Sequence, residues 1–197
     1  SSGKFTTKQK EIYDIVAAAN NHVIEISRPG ITYTDVHLSM ARIMAQGLKD
    51  LNILKGDVDE IVANGAQALM MPHGLGHNMG MDVHDMEDLG ENYVGYDDKY
   101  KRSTQFGLGS LRMGKMLEKG HVITDEPGIY FIPALIEQWK REGTNAQFIN
   151  FDVLEKYYDF GGIRLEDDIL ITEGGCRLLG SKRLPITTED VEREMAH

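Results

Sequence analysis

The spacing of apolar residues constrains the fold of this chain more than any other feature. Over about the first sixty residues they recur at steps of three and four, the period of an amphipathic helix. Two such stripes predict helices near residues 7–26 and 34–52, the first capped by a threonine and ended by Arg28-Pro29-Gly30. From Met70 onward, glycines become frequent and β-branched runs replace the helical stripes. The second part of the chain therefore favours strands and turns.

Three short segments of that second part have the pattern of β-strands. The run Val122–Thr124 precedes a turn at Pro127-Gly128, and Ile129–Ile132 follows it. In GGIRLEDDILIT, apolar and polar residues alternate, which predicts a strand with one buried face. The polar face of that strand consists of Arg164, Glu166 and Asp168.

The composition excludes several classes of function. A formal net charge of −10 argues against nucleic acid or an anionic membrane as the main partner. The single cysteine, Cys176, excludes an intramolecular disulfide and suits a reducing compartment. No apolar run approaches membrane-spanning length, and the N-terminal SSGKFTTKQK is too polar for a secretory signal. We therefore expect a soluble cytoplasmic protein.

The stretch HGLGHNMGMDVHD contains three of the seven histidines. His73 and His77 have the His-x-x-x-His spacing of zinc proteases, but position 74 lacks the catalytic glutamate of those enzymes. Gly74 and Gly76 would each cost a helix about 1 kcal/mol relative to alanine. An extended segment fits better, because its period of two places His73, Leu75 and His77 on one face. The glycines opposite would let another backbone or a ligand approach closely.

Two glutamates supply acids that a metal centre would need. Glu126 precedes Pro127, which biases its backbone toward extended geometry. Glu166 lies inside a strand pattern, where a carboxylate is costly to bury unless it is paired or bound to metal. The alternative for Glu166 is a salt bridge with Arg164 on a solvent-facing side. The pattern alone leaves both interpretations open.

Taken together, HGLGHNMGMDVHD, TDEPGIYF and GGIRLEDDILIT resemble the consecutive signatures of the proline-specific metallopeptidases with the pita-bread fold. This group includes aminopeptidase P, Xaa-Pro dipeptidase (prolidase) and, more distantly, methionine aminopeptidase. The resemblance extends from about Gly3 to the LPITTEDVEREM segment near the C-terminus. It implies an α+β pita-bread (creatinase/aminopeptidase) fold, in which a curved, mainly antiparallel sheet is backed by helices and carries the site on its concave face.

The resemblance also implies a metal site. It makes His77, Glu126 and Glu166 metal ligands, with Glu166 bridging two divalent ions and Glu126 also relaying a proton. Arg164 matches an arginine that orients Glu166. One imidazole with several carboxylates is a mostly hard donor set, which favours Mn²⁺, with Co²⁺ or Zn²⁺ as alternatives.

The remaining site residues concern the substrate. His73 and His84 match histidines that hold the substrate and stabilise charge on the scissile carbonyl, so both are expected to be catalytic and substrate-binding. Arg112 matches a prolidase arginine that captures the free carboxylate of a dipeptide, a task that suits a guanidinium fork. The alternative is an exposed arginine in a basic loop with Lys115 and Lys119. Carboxylate capture would confine cleavage to dipeptides.

The implied activity is hydrolysis of the Xaa-Pro bond of dipeptides or peptide N-termini by a metal-bound hydroxide. The partner is then a peptide with proline at its second position. Two alternatives are a non-enzymatic pita-bread binding protein and a metal-free amidinohydrolase of the same fold. An aspartate pair upstream of Ser1 would favour the peptidase, and its absence would favour either alternative.

One departure from the family pattern affects the expected activity. The family completes its two-metal centre with two aspartates on strands upstream of the segment that matches SGKFTTKQKEIYDIV, and this chain begins at that segment. We therefore expect residues 1–197 to be the C-terminal portion of a catalytic domain, without those strands and any N-terminal domain. Such a segment alone would bind metal weakly or not at all and would be inactive. An exposed sheet edge would favour a homodimer or higher homo-oligomer.

Overall fold

Two long helices, α1 (Thr7–Ile26) and α2 (Tyr33–Asp50), pack against each other. A computed structural model describes residues 3–196. Thr6 caps α1 by accepting a hydrogen bond from the Gln9 N–H, while the Gln9 side chain accepts one from the Thr6 N–H. Thr32 caps α2 by accepting a hydrogen bond from the Asp35 N–H. Both helices lie within two residues of their predicted bounds, because the caps that begin them are local features of the sequence.

The described residues also contain five shorter α-helices and three short 3-10 helices. The helix α3 (Val58–Ala63) is capped by Asp57, whose side chain accepts a hydrogen bond from the Glu60 N–H. The other four are α4 (Glu91–Gly95), α5 (Pro133–Glu142), α6 (Phe151–Leu154) and α7 (Thr188–Glu194). None of the helices within residues 3–196 is both long and apolar enough to cross a membrane.

The strands form two small antiparallel sheets. One contains β1 (Val122–Asp125), β4 (Asp167–Ile171) and β5 (Cys176–Leu178), in the order β1-β4-β5. The other pairs β2 (Gly128–Tyr130) with β3 (Gly162–Arg164). The antiparallel arrangement agrees with the prediction, although the sheet is divided where a single one was expected.

The division between the two sheets has a local cause at Pro127. In one sheet Asp125 faces Asp167, and in the other Gly128 faces Arg164. Extending either register by one step places Glu126 opposite Glu166 and Pro127 opposite Leu165, so the two sheets share one register. Proline has no N–H to donate to the ladder. The backbone stays close there, because the Leu165 N–H donates to the Pro127 carbonyl at 3.2 Å.

The core lies where α1 and α2 meet the strands. Most residues of their apolar stripes are buried, with Ile15, Ile26 and Ile43 partly so, and Ile123, Ile129 and Ile169 from three of the strands are fully buried. The alternation predicted for GGIRLEDDILIT is present: its apolar side chains contact the core, while Arg164 and Glu166 are exposed. Glu126 and Glu166 therefore face each other at the point where the ladder is interrupted between the two sheets.

Candidate active site

The segment that carries His77 runs beside β1. The Thr124 N–H donates to the His77 carbonyl at 3.0 Å, and the Glu126 N–H donates to the Leu75 carbonyl at 2.9 Å. A Cβ at Gly76 would clash with the Thr124 backbone, and one at Gly74 would clash with the Leu111 backbone. The glycines therefore allow the close backbone approach that the sequence predicted.

The same segment is less regular than the predicted strand. Only one isolated bridge, between Asn78 and Ile123, forms there. The ladder is interrupted because the His77 N–H donates to the hydroxyl of Thr124 at 3.0 Å instead of to a backbone carbonyl. The prediction that Leu75 shares a face with His73 and His77 is also inexact, since Leu75 is fully buried in the core while both histidines line a cavity.

His77 presents one free ring nitrogen to Glu126. Its Nδ1 lies 2.9 Å from the Asn78 carbonyl, which favours the tautomer with hydrogen on Nδ1 and leaves Nε2 with a lone pair. That Nε2 lies 3.3 Å from Oε1 of Glu126. Both side chains are buried, with 6% of the His77 side chain and 11% of the Glu126 side chain exposed.

Glu126 is held by two further contacts. The Thr124 hydroxyl donates to its Oε1 at 3.0 Å, and Arg164 lies 3.4 Å from its Oε2. Arg164 also reaches Oε2 of Glu166 at 3.6 Å, so one guanidinium joins the two facing carboxylates. Partial burial, and then the neighbouring charge of Glu126, raises the pKa of Glu166. Its side chain is nevertheless 43% exposed, in contrast to that of Glu126.

These groups border a cavity of about 170 Å³. It is lined by His73, Gly74, Gly76, His77, His84, Ser110, Arg112, Glu126 and Arg164. Six of the seven predicted site residues therefore lie at one place in the fold, and the seventh, Glu166, is joined to it through Arg164.

The two other predicted histidines lie on opposite sides of His77 in the sequence. The Nδ1–H of His73 donates to the Gly74 carbonyl at 2.7 Å, and its buried Nε2 has no partner among the described residues. Burial lowers the pKa of His73. The ring of His84 packs edge-on against that of His77 at 4.4 Å between centroids, and its Nδ1 lies 2.7 Å from Glu87.

Arg112 lines the cavity, but carboxylates of this chain already contact it. One guanidinium nitrogen lies 2.5 Å from Glu87, and another lies 3.1 Å from Glu91 at the start of α4. The alternative, an exposed arginine in a basic loop with Lys115 and Lys119, stays open, although the Arg112 side chain is 30% exposed and its contacts are with carboxylates. These contacts do not test its predicted role toward substrate.

Sequence reasoning missed a buried polar network beneath the site. Asp125 is fully buried and accepts a hydrogen bond from the Asn20 side chain at 3.0 Å, and its other oxygen has no partner within residues 3–196. Burial, and then the charge of Asp167, raises its pKa well above the ordinary value. Arg183 donates to the Asn20 amide oxygen and, at 2.7 Å, to Asp167. The only signal in the sequence is an acid inside the apolar run that precedes Glu126.

The donor set fits one side of a divalent-metal site. His77 offers a bare nitrogen beside a buried carboxylate, and Glu166 faces that carboxylate across the ladder. Within residues 3–196, however, no group of three or more His, Cys, Asp or Glu side chains is close enough to hold a metal ion. A complete site would need either further ligands or movement of the exposed Glu166.

The profile of metallopeptidase family M24 matches residues 1–173. The chain belongs to metallopeptidase family M24. It is 39% identical over 196 residues to the Xaa-Pro dipeptidase of Homo sapiens, an alignment that covers all of this chain and 38% of that protein. This M24 chain thus spans about 38% of the length of that relative.

Solved structures give the same result for the fold. The aminopeptidase PepP of Pseudomonas aeruginosa matches 98% of the M24 chain and 36% of its own length, with a TM-score of 0.71 and 31% identity. A zinc-substituted Escherichia coli aminopeptidase P in complex with product matches the same shares of both chains, with a TM-score of 0.69 and 35% identity. The resemblance inferred from the three motifs and the α+β pita-bread fold are therefore confirmed.

Proposed function

We propose that this chain is part of a proline-specific metallo-exopeptidase that hydrolyses the Xaa-Pro bond of dipeptides or of peptide N-termini. The observation that carries the proposal is the approach of His77 Nε2 to within 3.3 Å of Glu126, with Arg164 joining Glu126 to Glu166. The Xaa-Pro dipeptidase and aminopeptidase P relatives supply the substrate class. The substrate would be a peptide with proline at its second position.

In this proposal His77, Glu126 and Glu166 are metal ligands and hold two divalent ions together with ligands outside this chain. Bound divalent ions supply Lewis acidity, which polarises a peptide carbonyl and activates water near neutral pH. One imidazole and two carboxylates favour Mn²⁺, with Co²⁺ or Zn²⁺ as alternatives. The described residues contain no complete metal cluster, so we place the activity in a longer enzyme and expect this segment alone to be inactive.

The remaining residues have roles that follow from their positions. His73 has a buried Nε2 without a described partner, and with its hydrogen on Nδ1 this nitrogen carries a lone pair that can accept a hydrogen bond from substrate. To stabilise negative charge on the scissile carbonyl, the ring would have to be the doubly protonated imidazolium, which donates from Nε2. His84 packs against His77 in the lining of the same cavity and would also bind substrate there. Glu126 would take and deliver the proton, and Arg164 would orient Glu166 through their 3.6 Å contact while also contacting Glu126 at 3.4 Å. Arg112, at the cavity wall, would contact the part of the substrate beyond proline.

The proposal also includes the cellular compartment and the oligomeric state of the enzyme. The net charge of −10 and the single cysteine favour a cytoplasmic protein whose main partner is its peptide. A homodimer or higher homo-oligomer would cover the exposed apolar side chains of the segment between Met81 and Tyr93.

The test is a metal-dependence assay on the complete enzyme. After chelation and dialysis, hydrolysis of Ala-Pro and Ala-Pro-Ala should disappear and return with Mn²⁺, Co²⁺ or Zn²⁺, while Ala-Ala should remain a poor substrate. His77→Ala should lose both metal and activity, and His22→Ala, at a partly exposed position of α1 where Nε2 lies 2.7 Å from the Ser39 hydroxyl, should lose neither. Activity that survives chelation would favour a metal-free hydrolase. The absence of turnover with every metal would favour a binding protein.

A further inference from the structure

The two terminal nitrogens of the Arg112 guanidinium contact different carboxylates. One nitrogen lies 3.1 Å from Glu91, and that carboxylate also accepts a hydrogen bond from Arg102 at 2.6 Å. The Glu91 side chain is only 22% exposed and lies at the start of α4. Glu91 is therefore fixed by two arginines and orients Arg112 toward the cavity.

Glu87 is held less firmly than Glu91. Its side chain is 42% exposed, and its partners are the other Arg112 nitrogen at 2.5 Å and His84 Nδ1 at 2.7 Å. Hydrogen bonds from Arg112 and then His84 lower the pKa of Glu87, which keeps it charged near neutral pH. Both of its chain neighbours, Met86 and Asp88, have a φ of 58°, a conformation that non-glycine residues seldom adopt. The chain bends on each side of Glu87 and directs its carboxylate at these two cavity residues.

We infer that Glu87 is a specificity-determining residue, which occupies the face of Arg112 that the carboxylate of a dipeptide would need and so favours substrates that continue beyond proline. This inference rests on the proposed function, because it concerns the substrate of that same site. A free carboxylate directly after proline would have to displace Glu87 and would meet the charges of both Glu87 and Glu91. An amide at the same place carries no charge and meets no such repulsion.

The magnitude of the selection follows from the exposure of the pair. Partly exposed ion pairs are screened by solvent and contribute little, which corresponds to at most about a fivefold change in a binding constant. Glu87 should therefore bias the enzyme against dipeptides without excluding them. Displacement would also release His84 from its carboxylate partner.

The test compares two ligands that differ only in charge, N-acetylproline and N-acetylproline amide. Their dissociation constants are measured calorimetrically on the complete metal-loaded enzyme, on Glu87→Gln, and on Asp82→Asn as the matched control. Asp82→Asn removes the same charge from an exposed position five residues away on the same segment. Glu87→Gln should tighten N-acetylproline binding about fivefold and leave the amide unchanged, whereas Asp82→Asn should change either ligand less than about twofold.

A double variant assigns the gain to Arg112. When Glu87→Gln is combined with Arg112→Gln, the gain in affinity for N-acetylproline should disappear. If Glu87→Gln and Asp82→Asn changed the affinity for N-acetylproline equally, the change would be explained by the net charge of the protein, and the inference would be overturned. A gain that persists without Arg112, or the absence of N-acetylproline binding in every variant, would also overturn it.

An assay of hydrolysis tests the proposed function separately from the binding measurements. The ratio of kcat/KM for Ala-Pro to that for Ala-Pro amide should rise about fivefold in Glu87→Gln. If no variant hydrolyses either substrate, the proposed function is refuted, while the binding constants still decide the role of Glu87. If hydrolysis occurs while Glu87→Gln changes neither the ratio of the two kcat/KM values nor the ratio of the two dissociation constants, only the inference about Glu87 fails.

Discussion

The two sides of the candidate site are held in place by different forces. On one side, His77 and Glu126 are nearly buried and are fixed by the Thr124 hydroxyl and by hydrogen bonds to backbone. On the other side, the side chains of His84, Glu87 and Arg112 are 30–42% exposed and are joined by ion pairs. Buried hydrogen bonds are costly to leave unmade, whereas exposed ion pairs contribute little and can be exchanged.

This difference separates what the fold determines from what a ligand can change. The buried side is built before any ligand arrives, because it rests on the pairing of β1 with the His77 segment. The exposed side consists of groups whose present partners a charged substrate can replace. We therefore expect substitutions on the buried side to affect stability, and those on the exposed side to affect specificity.

The first prediction tests the limits of the contrast between buried and exposed sides, because the exposed Glu166 should be as important for activity as the buried Glu126. Glu166 is 43% exposed and Glu126 is buried, yet as metal ligands both should be essential. In the complete enzyme, Glu126→Ala and Glu166→Ala should each lower kcat/KM for Ala-Pro by at least about a thousandfold, since metal ions supply several kcal/mol of charge stabilisation. Glu173→Ala is the control, because this glutamate lies beyond the end of β4 with its side chain 88% exposed, and the variant should be fully active. Substantial turnover by Glu166→Ala would show that Glu166 is not a ligand.

The second prediction sharpens the comparison through pH. His37 on α2 is buried, and this burial, followed by the nearby His73, lowers its pKa from 6.5 to about 4. The unfolded chain therefore binds more protons than the folded chain between these pH values, so the free energy of unfolding falls as pH drops from 6.5 toward 4. The total loss is about 3 kcal/mol, with about 2 kcal/mol of it already lost at pH 5.

Urea unfolding at pH 7.5 and pH 5 measures this loss. His37→Gln should lose about 2 kcal/mol less stability than the wild type between these two pH values, because it lacks the titrating ring. His22→Gln, at a partly exposed position on α1, should behave like the wild type. An identical pH dependence of wild type and His37→Gln would contradict the prediction.

The accuracy of the sequence predictions follows the same division of local and distant contacts. The helices α1 and α2 were predicted within two residues, because their caps and apolar stripes are set by residues three or four positions apart. The three motifs also identified His77, Glu126 and Glu166 as one group, and the continuous register between the two sheets explains why the glutamates face each other. The roles assigned to these residues stay predictions.

Residues whose positions depend on distant segments could not be predicted. Thr124 contacts the backbone of a histidine 47 positions away, and Arg183 reaches Asn20 across 163 positions. Glu87 lies near Arg112 only because the chain reverses between them over 25 positions. No periodicity or spacing records such contacts, since they are decided by how separate elements pack.

The third prediction tests the backbone pairing that supports the buried side. Gly76→Ala would place a methyl group against the carbonyl of Thr124, and the two segments would have to separate. We expect a loss of about 2–3 kcal/mol in the free energy of unfolding, measured in urea, because overpacking against backbone has no flexible neighbour to move. Gly174→Ala is the matched control, since nothing lies within 4 Å of its Cβ position. Equal stability of the two variants would mean that the His77 segment is not confined by β1.

The smallest effect concerns a single hydroxyl. Thr124→Val keeps the shape of the side chain but removes the acceptor for the His77 N–H and the donor for Glu126. Leaving those buried groups without partners should cost about 1–2 kcal/mol, while Thr104→Val, at an exposed position, should change stability by less than about 0.5 kcal/mol. Because the hydroxyl holds both members of the buried pair, the same variant should also weaken metal retention by the complete enzyme about tenfold. If stability and metal content were both unchanged, the buried side would owe its geometry to packing alone, and the contrast with the ion-paired side would lose its physical basis.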